Sequence, residues 1–272
     1  MTALVWDQTG QRLYETGVDR GVIYPANISS PGSYNKGAAW NGLTGVSESP
    51  SGAEESAQYA DNIKYLGLRS EEEWAGTINA FTYPEEFEPC DGSREVAPGV
   101  MIGQQTRIPF CFSYRSLIGN DTEFTDHGYK LHLIYGLTAA PSSRERNTVN
   151  ESPEAMGMSW EVSATKVAVA GYKPTASFTI DSTKVDSNVL AALEAILYGS
   201  ANADSRMPMP AEVIALMNSN YVLTTDETFQ EGTTYYTRSG AGTPADPYVY
   251  TVATVTVGEE VTPDTYYVLD LG

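Results

Sequence analysis

Residues 129–135, with the sequence YKLHLIY, indicate the fold more clearly than any other stretch of the chain. Apolar side chains recur at every second position from Tyr129 to Tyr135, and Lys130 and His132 lie between them. Because successive side chains of a strand point to opposite faces of a sheet, this alternation predicts a half-buried β-strand.

Two further segments, residues 158–165 and 175–180, show the same two-residue period. In the first, Trp160 and Val162 alternate with polar side chains. Residues 171–174 lie between the two segments, and their Gly and Pro are typical of a turn. We therefore predict that these two strands are antiparallel neighbours.

The composition also favours β-structure. The 272 residues include 24 Gly and 15 Pro, which punctuate turns, and 18 Tyr, which suits half-buried strands. The length allows one large domain, or one domain with a small appendage.

A helical period replaces the strand period between Val189 and Leu197. Asp186 or Ser187 is placed to cap the start of this helix, and Gly199 is placed to end it. The sequence therefore predicts one amphipathic helix after the strands.

Three regions follow from these patterns. Residues 1–199 are predicted to form the main domain, and residues 200–220 a linker with a short helix that begins at Pro210. Residues 221–272 hold eight acidic residues and one basic residue, Arg238, for a net charge of −7. We interpret this last stretch as a small, separate all-β module.

The charge excludes one class of protein. The chain has 16 Lys and Arg against 35 Asp and Glu, a net charge of −19, and its pI is near 4.3. A protein that grips nucleic acid through its phosphates needs a basic face. We therefore expect this protein to repel DNA.

No stretch approaches the roughly 18 apolar residues of a membrane span, and residues 1–10 lack the features of a secretory signal. We expect a soluble protein made in a cytosol. Cys90 and Cys111 do not form a C-x-x-C pair and are predicted to be buried, reduced thiols.

Few residues of the chain have the spacing of a known reactive site. Cys90, Cys111, His127 and His132 are potential zinc ligands, but the short paired spacings of zinc sites are absent. Residues 33–36 match the pattern S-x-x-K, yet no S-D-N or K-T-G element follows them.

Acidic runs at residues 54–55, 71–73 and 85–88 could supply the two carboxylates of a glycoside hydrolase. In a chain with 35 acidic residues, a solvated or lumen-facing run of charge is the favoured interpretation. Nucleophile-elbow, phosphate-loop and dinucleotide fingerprints are absent. The sequence predicts no catalytic residue, no cofactor and no metal site, and so a protein that is not an enzyme.

Ten runs of sequence carry a family resemblance. They are WNGLTGV (40–46), ESPSGAE (48–54), YADNIKYL (59–66), FTYPEEF (81–87), SYR (113–115), IGNDT (118–122), DHGYKLHL (126–133), SPEA (152–155), KPTA (173–176) and TIDSTK (179–184). In this order, over roughly residues 1–215, the chain resembles the major tail tube proteins of long-tailed, non-contractile bacteriophages. Residues 221–272 resemble a small β module often appended to phage structural proteins.

The resemblance implies a fold and an assembly. The fold would be a β-sandwich or half-barrel with one flanking helix, whose inner strands join those of neighbouring subunits into a ring-shaped β-barrel. Hexameric rings would stack into a hollow tail tube, and the C-terminal module would lie on the outer surface of the tube.

The same resemblance implies the partners and the location. The subunit would contact itself, a tape-measure protein, and the tail terminator and tail-tip proteins, and genomic DNA would pass through the lumen without specific binding. The protein would be assembled in the host bacterial cytoplasm and reside in the virion tail.

An acidic lumen would keep the DNA backbone from adhering. The acidic residues that we predict to face such a lumen are Glu54, Glu55, Asp61, Glu71, Glu72 and Glu73. Residues 34–57 are interpreted as a long polar loop that could contact the next ring, or serve as an ordinary surface loop.

The alternative class is an extracellular-type carbohydrate-binding or adhesion protein. Its exposed Tyr and Trp side chains would stack on sugars, and its acidic side chains would bind hydroxyl groups or calcium. This interpretation explains the aromatic residues but not the ten similar runs.

Overall fold

The computed structural model describes residues 3–148, 151, 155–201, 203–218, 220–223, 234–239, 249–254 and 267–270. Strand accounts for 47% of the chain and helix for 11%, so the predicted mainly-β class is confirmed. The main sheet is antiparallel.

The elements of the N-terminal two thirds are mostly strands. They are β1 (Tyr14–Pro25), β2 (Ala38–Trp40), β3 (Leu43–Glu48), β4 (Ser51–Gly52), β5 (Glu55–Ala60), β6 (Ile63–Arg69), β7 (Glu72–Glu73), β8 (Ala75–Ala80), a 3-10 turn (Glu85–Phe87), β9 (Arg94–Ala97), β10 (Val100–Ile102), β11 (Phe110–Asn120), β12 (Phe124–Ala139), β13 (Met158–Ala164) and β14 (Ser177–Asp181). They are followed by α1 (Ser187–Tyr198), α2 (Pro210–Met217), β15 (Asn220–Leu223), β16 (Thr234–Ser239), β17 (Val249–Thr254) and β18 (Tyr267–Asp270).

The chain divides into two compact units. The first comprises Met1–Thr183 and Ile196–Met207, and the second comprises Lys184–Ala195 and Pro208–Gly272. In the second unit, the described strands form a four-stranded sheet in the order β15-β18-β16-β17. The boundaries drawn from the sequence at residues 199 and 220 stay a prediction.

The main sheet belongs to the first unit and is organised around β12. Its strands follow the order β2-β1-β11-β12-β13-β8-β3, with β14 also paired to β12. Strand β12 has 16 residues. It pairs with β11 along one edge, and with β14 and then β13 along the other.

The change of partner on β12 occurs at Gly136. Strand β14 pairs with residues 130–134, and β13 pairs with residues 137–139. Gly136 has a φ of +60°, and a Cβ atom there would lie 2.6 Å from the carbonyl oxygen of Thr165. Because glycine alone adopts this conformation without strain or clash, it lets the strand bend between its two partners.

The predicted pairing of segments 158–165 and 175–180 with each other is therefore wrong. The chain does reverse between them, as the bridge between Val167 and Thr175 shows. The two strands nevertheless lie end to end along the same edge of β12, because that strand is long enough to pair with both.

Both ends of the main sheet are covered by residues 38–48. Strand β2 pairs with β1, and β3 pairs with β8. Gly42, with a φ of +74°, makes the turn that joins β2 to β3. One short stretch therefore connects the first strand in the sheet order to the last.

The core of the first unit is an aromatic cluster around Trp160, which is fully buried. Its ring centroid lies 5.3 Å from that of Phe87 and 5.5 Å from that of Trp40. Trp40 meets Phe112 edge-on at 5.5 Å, and its indole N–H donates to the carbonyl oxygen of Thr82. Such tilted aromatic contacts add to the stabilisation that burial provides.

Residues 131–137 of strand β12 are largely buried on both faces, whereas the alternation predicts burial of one. Leu131 and Leu133 on the predicted face are fully buried, but Ile134 on the opposite face is only 1% exposed. His132 on that second face stacks on Tyr114 at 4.5 Å between ring centroids. The prediction failed because a histidine ring packs against an aromatic ring as readily as it contacts water.

Both predicted helices are confirmed. The carboxylate of Asp186 accepts hydrogen bonds from the N–H groups of Asn188 at 2.9 Å and Val189 at 3.3 Å, so Asp186 is the N-cap of α1. Gly199, with a φ of +83°, follows the last residue of α1. Among the described residues, no helix has the length and apolar character needed to cross a membrane.

The two cysteines are free and buried, as predicted. Burial raises the pKa of both the Cys90 and the Cys111 thiol to about 12. Both therefore stay protonated and unreactive near neutral pH.

His132 lies at the polar end of the core face. The Ser116 hydroxyl donates to Oε1 of Glu15 at 2.5 Å, so its oxygen accepts from Nε2–H of His132 at 2.9 Å. The Thr179 hydroxyl lies 3.4 Å from Nδ1 of the same ring. Burial lowers the pKa of His132, although the carboxylates of Glu48 and Glu15 oppose this shift.

Replacing Leu131 with Asp should prevent folding. The side chain is fully buried, and an unpaired buried charge costs several kcal/mol, a large part of a typical stability of about 5–15 kcal/mol. Circular dichroism during heating measures the loss. The control is Ser159→Asp, at an exposed position of β13, and a cooperative wild-type-like transition in Leu131→Asp would refute the burial of this face.

Acidification should destabilise the protein through His132. Because its pKa is lowered in the folded state, the unfolded chain binds the proton more readily, and the free energy of unfolding falls as the pH drops below about 6.5. The neighbouring ionisable groups are Glu15, Glu48 and Lys130. Urea unfolding at a series of pH values should show a smaller fall in His132→Gln than in the wild type.

The control for this series is Thr138→Gln, which introduces the same side chain at an exposed position of the same strand. It should keep the wild-type fall in stability between neutral and mildly acidic pH. An equal fall in the wild type and in His132→Gln would assign the pH dependence to other groups.

Candidate functional site

The most unusual surface of the first unit is a long β-hairpin, residues 47–73, which we call the arm. It continues outward from the pair β3 and β8 through β4 with β7 to β5 with β6. Asp61 and Asn62 form the tip, with φ angles of 50° and 65°. Two residues with positive φ make the tight turn that suits a two-residue hairpin, and Asp and Asn tolerate it well.

The arm has almost no tertiary support. Each of its residues is exposed except Ala57, which is half-buried. A two-stranded hairpin alone in water is marginally stable at best. Its strands therefore need another surface to lie against if they are to be held firmly.

All six acidic residues singled out from the sequence lie on the arm. They are Glu54, Glu55, Asp61, Glu71, Glu72 and Glu73. The six residues thus belong to one continuous structural feature rather than to scattered positions. Whether these carboxylates face a lumen stays a prediction.

Two of these six carboxylates are already paired. Glu55 accepts from the ammonium group of Lys64 across the hairpin. Glu71 lies 2.8 Å from Nζ of Lys166, and this hydrogen bond lowers the pKa of Glu71. The other four carboxylates form no ion pair with any residue that the structure describes.

One face of the arm carries an apolar stripe, formed by Ile63, Leu66 and Leu68. Their side chains are 64%, 39% and 58% exposed. The register places them beside small or polar residues of β5, with Leu66 opposite Gln58 and Leu68 opposite Ser56. The stripe is therefore apolar surface that no side chain of the arm covers.

Sequence reasoning missed this stripe. The sequence predicts a polar loop at residues 34–57, where the structure has β2, β3, β4 and the start of β5. That prediction ends before β6, the strand that carries the stripe. The alternation of Leu66, Gly67 and Leu68 was the available signal. Three residues are too few to indicate a strand, and the paired strand β5 has no matching apolar pattern.

The main sheet also has strand edges that lack a neighbouring strand among the described residues. Strand β14 pairs with β12 on one side and with no strand on the other. The part of β1 that precedes Gly21 pairs with β11 alone. Unpaired edges of this kind can pair with strands of another chain.

A second hairpin, β9 with β10, exposes apolar side chains as well. Val96 is 58% exposed and Met101 is 39% exposed, the same fractions as Leu68 and Leu66. It provides a comparison for the stripe because the degree of exposure is matched.

The four residues considered as zinc ligands do not meet. Cys90 and Cys111 are buried, His127 bonds Glu123 at 2.6 Å, and His132 lies in the polar cluster with Ser116. In the part of the chain that the structure describes, no three His, Cys, Asp or Glu side chains are placed to share a metal ion.

Comparison with models of known protein families gave no match, and comparison with curated proteins found no similar one.

Proposed function

We propose that this chain is a structural virion protein, the major subunit of the tail tube of a long-tailed, non-contractile phage. In this proposal it has no catalytic role. It assembles into hexameric rings that stack around a tape-measure protein, between the tail terminator and the tail tip. The resulting hollow tail delivers phage DNA to the host.

The exposed arm is the main observation that supports this proposal. An exposed hairpin with an apolar stripe is poorly suited to a protein that remains alone, because the stripe gains free energy only when another surface covers it. Covering Ile63, Leu66 and Leu68 together would contribute on the order of several kcal/mol to each contact between two subunits. In a polymer, this contact recurs in every subunit.

The open strand edges support the same proposal. Strand β14 and the early part of β1 could pair with strands of a neighbouring subunit. Cyclic symmetry repeats one such contact until the ring closes and no edge is left exposed. An inner barrel shared by all subunits would result, as in the tail-tube fold.

The charge is consistent with DNA passage. Six copies at −19 each carry −114 formal charges per ring. Carboxylates that face the lumen would repel the phosphate backbone and allow it to move without binding. Glu54, Asp61 and Glu73 are suited to this role because no ion pair with the described residues offsets their charge.

The direct test is assembly of the purified, full-length chain. Concentrated protein should form rings or hollow tubes in negative-stain electron microscopy, and sedimentation velocity should show polymers above a critical concentration. A chain that remains monomeric at every concentration tested, and that binds a glycan array instead, would contradict the proposal and support the carbohydrate-binding alternative.

The stripe provides a second test. Leu66→Ser combined with Leu68→Ser should raise the critical concentration at least about tenfold, because each subunit contact loses more than about 1.4 kcal/mol. The melting temperature should not fall, since both side chains are exposed in the folded subunit. Sedimentation at graded protein concentrations measures the first quantity, and circular dichroism the second.

The matched control is Val96→Ser combined with Met101→Ser, which removes two side chains of equal exposure from the β9–β10 hairpin. This pair should change the critical concentration less than the arm variant does. Equal effects would mean that exposed apolar area in general, rather than the stripe, drives assembly.

A further inference from the structure

A cleft with a volume of about 710 Å³ lies at the base of the arm, where the arm joins the rest of the first unit. The arm and the segment that follows β13 form its walls. The side chains that bear on its chemistry are Arg69, Glu71, Glu72, Trp74, Lys166 and Lys173. Three cations in one cleft are unusual in a chain that has 16 basic and 35 acidic residues.

Only one of these three cations has a partner carboxylate. Lys166 is paired with Glu71 at 2.8 Å. The side chains of Arg69 and Lys173 form no hydrogen bond or ion pair with the described residues, although Lys173 lies close enough to lower the pKa of Glu71 further. Two cations therefore remain against the single carboxylate of Glu72.

Trp74 forms part of the apolar lining of the cleft. Its side chain is 9% exposed, and its indole N–H is buried without an acceptor among the described residues. The side chains of Arg69 and Lys173 are therefore the groups of the cleft that an incoming carboxylate would complement.

We infer that this cleft receives carboxylate side chains from an acidic segment of a second copy of this chain. The inference rests on the proposed tube, because it assigns the cleft to a contact between subunits. Copies with a net charge of −19 repel one another, so their contacts require local charge complementarity. The surface of a neighbouring copy is rich in carboxylates, and the cleft adjoins the arm that carries the proposed assembly contact.

The experiment compares critical concentrations of polymerisation. Arg69→Gln combined with Lys173→Gln removes both unpaired cations of the cleft. The control is Arg94→Gln combined with Arg146→Gln, which makes the same change in net charge at two exposed residues without ion pairs in the described structure. Melting temperatures verify that all proteins fold alike.

The cleft variant should have a critical concentration about threefold to thirtyfold higher than the wild type, which corresponds to two partly exposed ion pairs. The control variant should differ from the wild type by less. Raising NaCl from about 0.1 M to about 1 M shortens the screening length from about 10 Å to about 3 Å, which weakens both the repulsion between copies and the attraction in the cleft. The ratio of the critical concentration of the cleft variant to that of the wild type should therefore fall towards one at high salt.

Probe ligands identify the chemistry of the occupant. A short poly-L-glutamate peptide should inhibit wild-type polymerisation and bind the cleft variant more weakly. If a thymidine oligonucleotide bound the wild type instead, and lost this binding in the cleft variant, the occupant would be a phosphate backbone and the inference would be overturned.

The outcomes separate the two proposals. Tubes that form from the cleft variant at the wild-type critical concentration would overturn this inference and leave the tube proposal standing. A wild-type chain that never polymerises would overturn the tube proposal and the inference together.

Discussion

The middle of strand β12, residues 131–137, is largely buried on both faces while the strand pairs along both edges, and the rest of the first unit depends on this arrangement. Buried N–H and C=O groups must find partners, so a strand of this length requires β11 on one side and two successive strands on the other. Gly136 makes the succession possible, because any side chain there would clash with the carbonyl oxygen of Thr165. The aromatic cluster around Trp160 then packs on the sheet that β12 organises.

The contrast between this core and the arm is the basis of the functional argument. Core side chains such as Leu131 and Trp160 are fully buried, while the arm projects from β3 and β8 with nearly every residue exposed. Burial of apolar side chains stabilises the core, whereas the arm lacks this stabilisation. The arm gains stabilising burial only when another surface covers it. In our proposal, that surface belongs to a second copy of the chain.

The charges follow a related division. Several cations are paired within the subunit, including Lys64 with Glu55 and Lys166 with Glu71. The arm keeps most of its carboxylates unpaired, whereas the cleft at its base keeps Arg69 and Lys173 unpaired. The unpaired carboxylate of Asp61 at the tip of the arm and the unpaired cations at its base lie apart on one subunit, and this favours a head-to-tail contact between copies, which closes into a ring when the rotation allows it.

The sequence by itself determined the features that depend on neighbouring residues. These are the strand at residues 129–135, the N-cap at Asp186, the end of α1 at Gly199, the start of α2 at Pro210 and the net charge. The period of a strand and the capping of a helix are local properties, so a short window of sequence contains them. Six acidic residues were likewise chosen from local runs of charge, and the structure brings them together on the arm.

Only the tertiary structure decided which segments meet. The pairing of both β13 and β14 with β12, the burial of the His132 face, the apolar stripe of the arm and the cleft beside Trp74 all join residues far apart in the chain or depend on what covers them. Many partners are compatible with one strand pattern, and an exposed leucine resembles a buried one in sequence. The choice among them follows from the total burial and hydrogen bonding of the whole fold, which no local pattern contains.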